Sequence, residues 1–545
     1  LELDSQGNLH YFFRDNGSSS NGTLYHLVEN GVSTVGGGSS GGSGSGSGSG
    51  TYNGNGSTWQ VSNLSGPNNG VYHLTPVGNT LYFTARDTGP GTELWKSDGT
   101  TNGTMMVKDI NPGPNGSSPN ELFALGNTLY FQADNGINGT ELWKSDGTAN
   151  GTVMVKDLRP ESNSGGAPLS SKPEQMTAIG NTLYFTTEYG ATNYGSELWK
   201  SDGTENGTVV VKDINPGAAS GYVDGLTLIG STLYFQANDG TNGSELWKSD
   251  GTEAGTVMVK DINPGSGGSS PAGTSSGHHF VAIGSTIYFN ADNGINGTEL
   301  WKSDGTASGT MMVKDILSNY SYGAGPHDYV VMNNTLYFSA DDDISNQAGR
   351  NLWKSDGTTN GTVKVHPAYD LSPYYLVAVN GTLYFNAEPS WDRELWKSDG
   401  TAAGTSLLYG LSSGENNPRN LVGIGNILYF TAEDSTNGRE LWKSDGSSSG
   451  TVMIEDIYTG PSNGVTYGNQ DTAVQLVGNT LYFVADDGWG SQVWAHDPVS
   501  LTFSGSGPSN GSVTNAACEV SPSLPTGLTL TQGTCTISGT PTITQ

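Results

Sequence analysis

Residues 126–157 read GNTLYFQADNGINGTELWKSDGTANGTVMVKD. Leu129-Tyr130-Phe131 is a cluster of strand formers, and Asp134-Asn135-Gly136 after it signals a turn. Leu142-Trp143 makes a further strand, Asp146-Gly147 a further turn, and Val153-Met154-Val155 the next strand. Upstream, ELFAL at 121–125 joins the series through a tight Gly126-Asn127 turn. The expected unit is a four-stranded antiparallel meander over 121–125, 128–133, 140–145 and 152–157. Neighbouring residues on a strand point to opposite faces, so Leu142 and Trp143 put apolar groups on both sides of the sheet. A sheet with one wet face would alternate apolar and polar. This one must be sandwiched between like sheets.

The unit repeats. ELWKSDGT stands intact at 93–100, 141–148, 197–204, 245–252, 299–306 and 394–401. Near-copies lie at 351–358 and 440–447, and a worn copy, Gln492-Val493-Trp494, ends the series. A degenerate tenth unit opens the chain, with Leu9-His10-Tyr11-Phe12 for the LYF strand and Leu24-Tyr25 for LW. The Gly/Ser/Asn-rich stretch 36–57 is read as an insertion in a surface loop of that unit. Stacked four-stranded units of this length are propeller blades. The expected fold is therefore all-β: a β-propeller of about ten blades over 1–497, then a partial immunoglobulin-like β-sandwich over 498–545. One ring of ten, two smaller rings or an open stack all fit the count. The outer strand of the last blade is sought at Leu501-Thr502-Phe503.

ELWKSDGT followed by GTVMVKDINPG resembles the ELWxxDGT repeat family of large surface or secreted proteins, over roughly residues 71–497. The tail segments PSLPTGL (522–528) and ISGTP (537–541) resemble immunoglobulin-like domains of multidomain surface proteins. The resemblance implies an extracellular or cell-surface setting and no chemistry. Such domains continue beyond the SGTP segment, so the tail is expected to be incomplete and completed by downstream chain or another molecule. A structural or adhesive protein, a subunit of a filament or surface array, is the leading expectation, with copies of itself or other surface proteins as partners. A glycan-binding propeller or a secreted glycan-active enzyme is the alternative.

The charge agrees with that setting. The chain has 22 Lys+Arg against 52 Asp+Glu, a net −30. Phosphate backbones are repelled by such a surface, so nucleic acid is excluded as a partner. No apolar run approaches the ~20 residues of a membrane helix. Cys518 and Cys535 are close together in the tail and are expected to form a disulfide.

No nucleophile elbow, zinc helix or phosphate loop is present, arginines are few, and the reading is non-enzymatic. Calcium is considered at the loop DNGINGT, where Asp134 and Asn138, repeated as Asp292 and Asn296, supply oxygen donors. Sequons at Asn102, Asn138, Asn150, Asn206, Asn242, Asn296 and Asn360 make glycosylation an expectation. Trp391 and Trp489 fall out of repeat register and could stack on sugar. His278-His279 and Asp341-Asp342-Asp343 are read as solvated loops. Glu141 and Lys144 are expected to pair across blades, and Asp146 to accept a backbone N–H two residues on.

Overall fold

A computed structural model describes residues 58–64, 70–190, 194–271, 280–318, 322–342, 350–366, 371–387, 393–409, 417–465, 474–478 and 480–496, together with the strand residues 2–3, 9–14, 24–28, 31–35, 502–504, 519–521, 528–531 and 536–539. Nine four-stranded antiparallel sheets form the blades of a propeller. Blades 1 to 8 span 71–108, 120–156, 173–212, 224–260, 281–314, 327–364, 374–409 and 419–455. Within each, strands A to D follow chain order from inner to outer. Blade 2 has its strands at Asn120–Leu125, Thr128–Asp134, Thr140–Ser145 and Val153–Lys156, within one residue of the expected ends at most positions. The A strands of adjacent blades contact one another, which places them around the axis.

The ninth blade corrects the sequence reading. Its strands A to C are Val474–Val477, Thr480–Asp486 and Ser491–His496, and its fourth is Thr58–Gln60. Leu501-Thr502-Phe503 is not that strand: Thr502–Ser504 pairs with Glu519–Ser521 instead. The Gln492 side chain fastens the seam. Its Oε1 accepts from the Ser62 hydroxyl at 2.8 Å and the Leu64 N–H at 2.9 Å, and its Nε2 donates to the Leu64 carbonyl at 3.1 Å.

The ring holds nine blades, not ten, because blade 9 abuts blade 1. A Cβ on Gly99 would stand 2.6 Å from the Tyr482 hydroxyl, as one on Gly203 of blade 3 would from Tyr130 of blade 2. The same contact therefore carries the seam and the regular joints. Gly99 and Gly203 also have φ of +93° and +86°, so glycine is required there twice over. The opening unit forms a four-stranded sheet of its own, Glu2–Leu3, Leu9–Arg14, Leu24–Val28 and Gly31–Val35. The insertion 36–57 lies outside the described residues. In the tail, Leu528–Thr531 pairs with Thr536–Gly539.

Packing follows the two-faced pattern. Between blades 1 and 2, Tyr82, Leu94, Val107 and Ile110 meet Leu129, Phe131, Ala133 and Trp143. Leu142 faces the other way, into a core with Tyr130, Leu183, Phe185 and Trp199 of blades 2 and 3. Trp143, Trp199, Trp247, Trp301, Trp353, Trp396 and Trp442 are all buried, whereas Trp95 and Trp494 are half-buried.

Candidate functional site

The polar residues of the motif are engaged in architecture. Lys144 donates to the Gly203 carbonyl of the next blade at 2.9 Å, and Lys156 to the Thr208 carbonyl at 2.8 Å. The Ser145 hydroxyl accepts the Gly147 N–H at 3.0 Å, and Asp146 accepts the Thr148 N–H at 2.8 Å. Glu141 and Lys144 do not form ion pairs across blades, because Lys144 reaches a carbonyl and Glu141 turns to its own connector. Glu141, fully buried, instead accepts from the Leu158 N–H at 3.0 Å, the Ser171 N–H at 2.9 Å and the Ser171 hydroxyl at 2.6 Å. It thus clasps the connector that leads to the next blade. Glu93, Glu197, Glu245, Glu299 and Glu440 make equivalent clasps.

Function must then be sought where the repeats differ. In an antiparallel blade, the start of strand A, the B–C loop and the D–A connector share one face. Strand A there carries a bulge, with register shifts after Tyr72, Asn120, Glu174, Asp224, His327, Tyr374 and Arg419. The next residue has a left-handed φ: His73 57°, Glu121 54°, Gln175 52°, Gly225 70°, Asp328 54°, Tyr375 57° and Asn420 53°. All but Gly225 carry a side chain in a region that disfavours one, and such strain gathers at working sites. These two positions vary from blade to blade around the mouth of the axis, while strands B and C are nearly invariant. Sequence reasoning passed over them. Aligning the repeats on LYF would have exposed the variation.

The mouth is polarised. Blades 2 to 4 bring Glu121, Glu174 and Asp224 together through Gln175. The Gln175 N–H reaches Glu121 Oε2 at 3.2 Å, and its amide Nε2 reaches Asp224 Oδ1 at 2.5 Å. Burial first, then the charges of Glu121, Glu188 and Asp224, push Glu174 up to about 7. Blades 6 to 8 bring arginines and aromatics, with Asp328 3.3 Å from His327. His327 stacks on Tyr374 with ring centres 6.1 Å apart. Arg350 and Arg393 place their guanidinium carbons 5.9 and 5.4 Å from the centre of the Tyr374 ring. Arg350 Nη1 donates to the Tyr374 hydroxyl at 3.2 Å, and its Nε sits 3.4 Å from Asp341. The same face exposes Tyr222, Tyr322, Ile137, Ile295 and Trp489, the last 81% accessible.

The calcium-candidate residues lie on two separate blades, Asp134 and Asn138 on blade 2, Asp292 and Asn296 on blade 5. Asp134 Oδ1 accepts the Gly136 N–H at 2.7 Å and Asn138 Oδ1 accepts from Asn135 at 2.9 Å, with the same bonds in the second loop. Among the described residues no three His, Cys, Asp or Glu side chains converge on a metal position. Asp341 and Asp342 are paired with Arg350 and Lys364. His278-His279, Trp391, Cys518 and Cys535 lie outside the described residues. Of the sequons, Asn102, Asn150, Asn206 and Asn360 are exposed on C–D loops, at the opposite face. Asn138, Asn242 and Asn296 are half-buried, and each amide nitrogen donates to a carboxylate, Asp157, Asp239 and Asp315 respectively. In a glycosylating host, sugar is therefore expected on the first four and little on the last three. Glycopeptide mass spectrometry showing the reverse order would sink this expectation.

Residues 490–545 match a family described as "Putative Ig domain". No curated protein matches the chain. Among solved structures it is similar to the computationally designed Ika8 protein, at 14% identity and a TM-score of 0.39, covering 69% of this chain and 96% of that one. It is also similar to puromycin hydrolase, at 14% identity and a TM-score of 0.34, covering 67% of this chain. A prolyl endopeptidase is similar at 12% identity and a TM-score of 0.37, covering 69% of this chain. The chain spans 58% and 55% of the length of those two enzymes.

Proposed function

We propose that the chain is an extracellular adhesive protein, a rigid propeller that presents the polarised mouth face to ligands and works beside copies of itself or other surface proteins. One observation carries the reading. Residues repeated from blade to blade are bonded into the joints, whereas those that differ at the start of strand A gather at one mouth, with exposed aromatics around them. The immunoglobulin-like match at 490–545 supports a multidomain surface setting. Beads carrying the full chain are expected to adhere to polysaccharide-coated surfaces. Substituting Trp489→Ser with Tyr222→Ser on the mouth face should weaken adhesion at least about fivefold, while Asn150→Gln on the opposite face should leave it unchanged. Equal loss from both faces, or none from either, would overturn the proposal.

A second reading has one observation in its favour: a carboxyl group near 7, Glu174, beside Glu121 and Asp224 is the kind of arrangement that supplies a general acid to glycoside cleavage. Against it, both neighbours are bonded to Gln175 as part of the bulge. Release of reducing sugar by the wild type and not by Glu174→Gln would favour it.

A further inference from the structure

The first of the two bulge positions of strand A sorts by charge around the ring, and the second does not, since Asp328 of blade 6 stands 3.3 Å from His327. Reading from blade 2, the pairs are Asn120-Glu121, Glu174-Gln175 and Asp224-Gly225, then from blade 6 His327-Asp328, Tyr374-Tyr375 and Arg419-Asn420. The chain has seven arginines in all, and Arg350, Arg393, Arg419 and Arg439 fall within blades 6 to 8. Arg439 is buried, donating to the Asn417 carbonyl at 3.1 Å and to Glu433 at 3.2 Å, which is a structural role. Arg350 and Arg393 are different. Both are half-buried at the mouth, and both lie against one tyrosine ring.

We infer that the Arg350–Tyr374–Arg393 side of the mouth recognises the carboxylate of an acidic sugar. This rests on the reading of the mouth as a binding face. Contact with an aromatic ring steadies a guanidinium, and a steadied N–H donor meets a carboxylate in a charge-assisted hydrogen bond. Among the described residues the partners of Arg350 are Asp341 at its Nε and Tyr374 at its Nη1, so its Nη2 remains for a ligand. Two guanidinium groups meet at one ring here, and Asp341 balances that of Arg350.

The other wall limits what the ligand can be. Glu121, Glu174 and Asp224, nearly opposite in a nine-membered ring, would repel a densely charged polyanion, while Glu188 beside them is paired with Lys172 at 2.8 Å. What fits is an isolated carboxylate on an otherwise neutral body. Tyr375, held at φ 57° one residue beyond Tyr374 with ring centres 6.5 Å apart, adds an aromatic surface of the kind on which a pyranose packs.

The test uses the full chain on an array of glycans bearing uronic or sialic acids, their methyl esters, neutral glycans and acidic peptides. Retention is expected on carboxylated glycans and not on their esters. Arg350→Ala with Arg393→Ala should weaken it at least about tenfold, and Arg350→Lys with Arg393→Lys should recover only part of it, since lysine keeps the charge but not the planar fork. Equal retention of esters, carboxylate binding untouched by the double variant, or capture of the peptides alone would overturn the inference. Neutral glycans retained by wild type and lost in Trp489→Ser would overturn it while leaving the mouth a binding face. Silence across the array would count against both.

Discussion

Replacing Glu141 by alanine is expected to lower the unfolding free energy by about 2–5 kcal/mol, the cost of stranding buried hydrogen-bond donors. The clasp explains the size. Glu141 is fully buried and its two oxygens take three donors, the N–H groups of Leu158 and Ser171 and the Ser171 hydroxyl. Alanine leaves the Leu158 N–H and the Ser171 hydroxyl inside the protein without that acceptor, at about 1–3 kcal/mol each before relaxation, while the Ser171 N–H keeps the Thr140 carbonyl at 3.1 Å. The damage should be local first. Glu141 lies 17 residues before Leu158 and 30 before Ser171, so it closes the whole connector against strand C. Amide exchange at Leu158 and Ser171 should accelerate more than at Leu129 in the same blade. Blade 6 offers a comparison. Asn351 stands at the clasp position there and donates to Asp342 at 2.7 Å, so Asn351→Ala should cost less. Urea unfolding that moves by under about 1 kcal/mol for Glu141→Ala would remove the clasp from its structural role.

The blade could be read from sequence because its signals agree at every level: strand formers in clusters, turn residues between them, and apolar residues on both faces that demand stacking. Closure could not. Its evidence is a short strand, Thr58–Gln60, with no hairpin partner beside it in sequence, and Gln492 fastens Ser62 across a separation of 430 positions. Counting motifs gives ten units, because the opening unit keeps the strand pattern while forming a sheet of its own. The mouth was hidden for a related reason. A bulge shifts the period-two alternation of strand A, so no regular pattern marks Glu174, Tyr374 or Arg419. Arg350 is offset from Tyr374 by 24 positions, in the preceding blade. A short motif search cannot register such a pair. What was legible, and went unused, is that Asn120, Glu174, Asp224, His327, Tyr374 and Arg419 hold one position in the repeat and share no chemistry.

Stability is expected to fall as the pH is raised from about 5 to about 9. Burial pushes Glu141, Glu197 and Glu299 up to about 7 and Glu440 up to about 8. It moves Glu93 and Glu245 in the same direction. The N–H donors around each clasp favour the ionised form, but desolvation is the larger influence. In the unfolded chain a glutamate ionises near pH ~4.3. Between that value and 7 to 8, the folded protein therefore holds more protons than the unfolded one, and each rise in pH weakens it, by up to about 1.4 kcal/mol per pH unit for each such group. The contribution is complete below the unfolded value and gone once the pH passes the folded one. A protonated clasp keeps its geometry, since the Glu141 carboxyl can donate to the Ser171 hydroxyl oxygen 2.6 Å away. The turn aspartates act with the opposite sign: hydrogen bonds from Thr148 hold Asp146 below the usual carboxylate range, and Asp202, Asp250 and Asp304 behave alike. They are exposed, and their contribution is lost only in acid below about pH 4. Thermal midpoints should accordingly peak near pH ~5 and decline toward alkali. Glu440→Gln should be less stable than wild type in acid yet show a shallower decline, because one titrating group is gone. A midpoint that holds steady or climbs from about pH 5 to about pH 9 would show that the buried glutamates are ionised throughout, with the N–H donors outweighing burial.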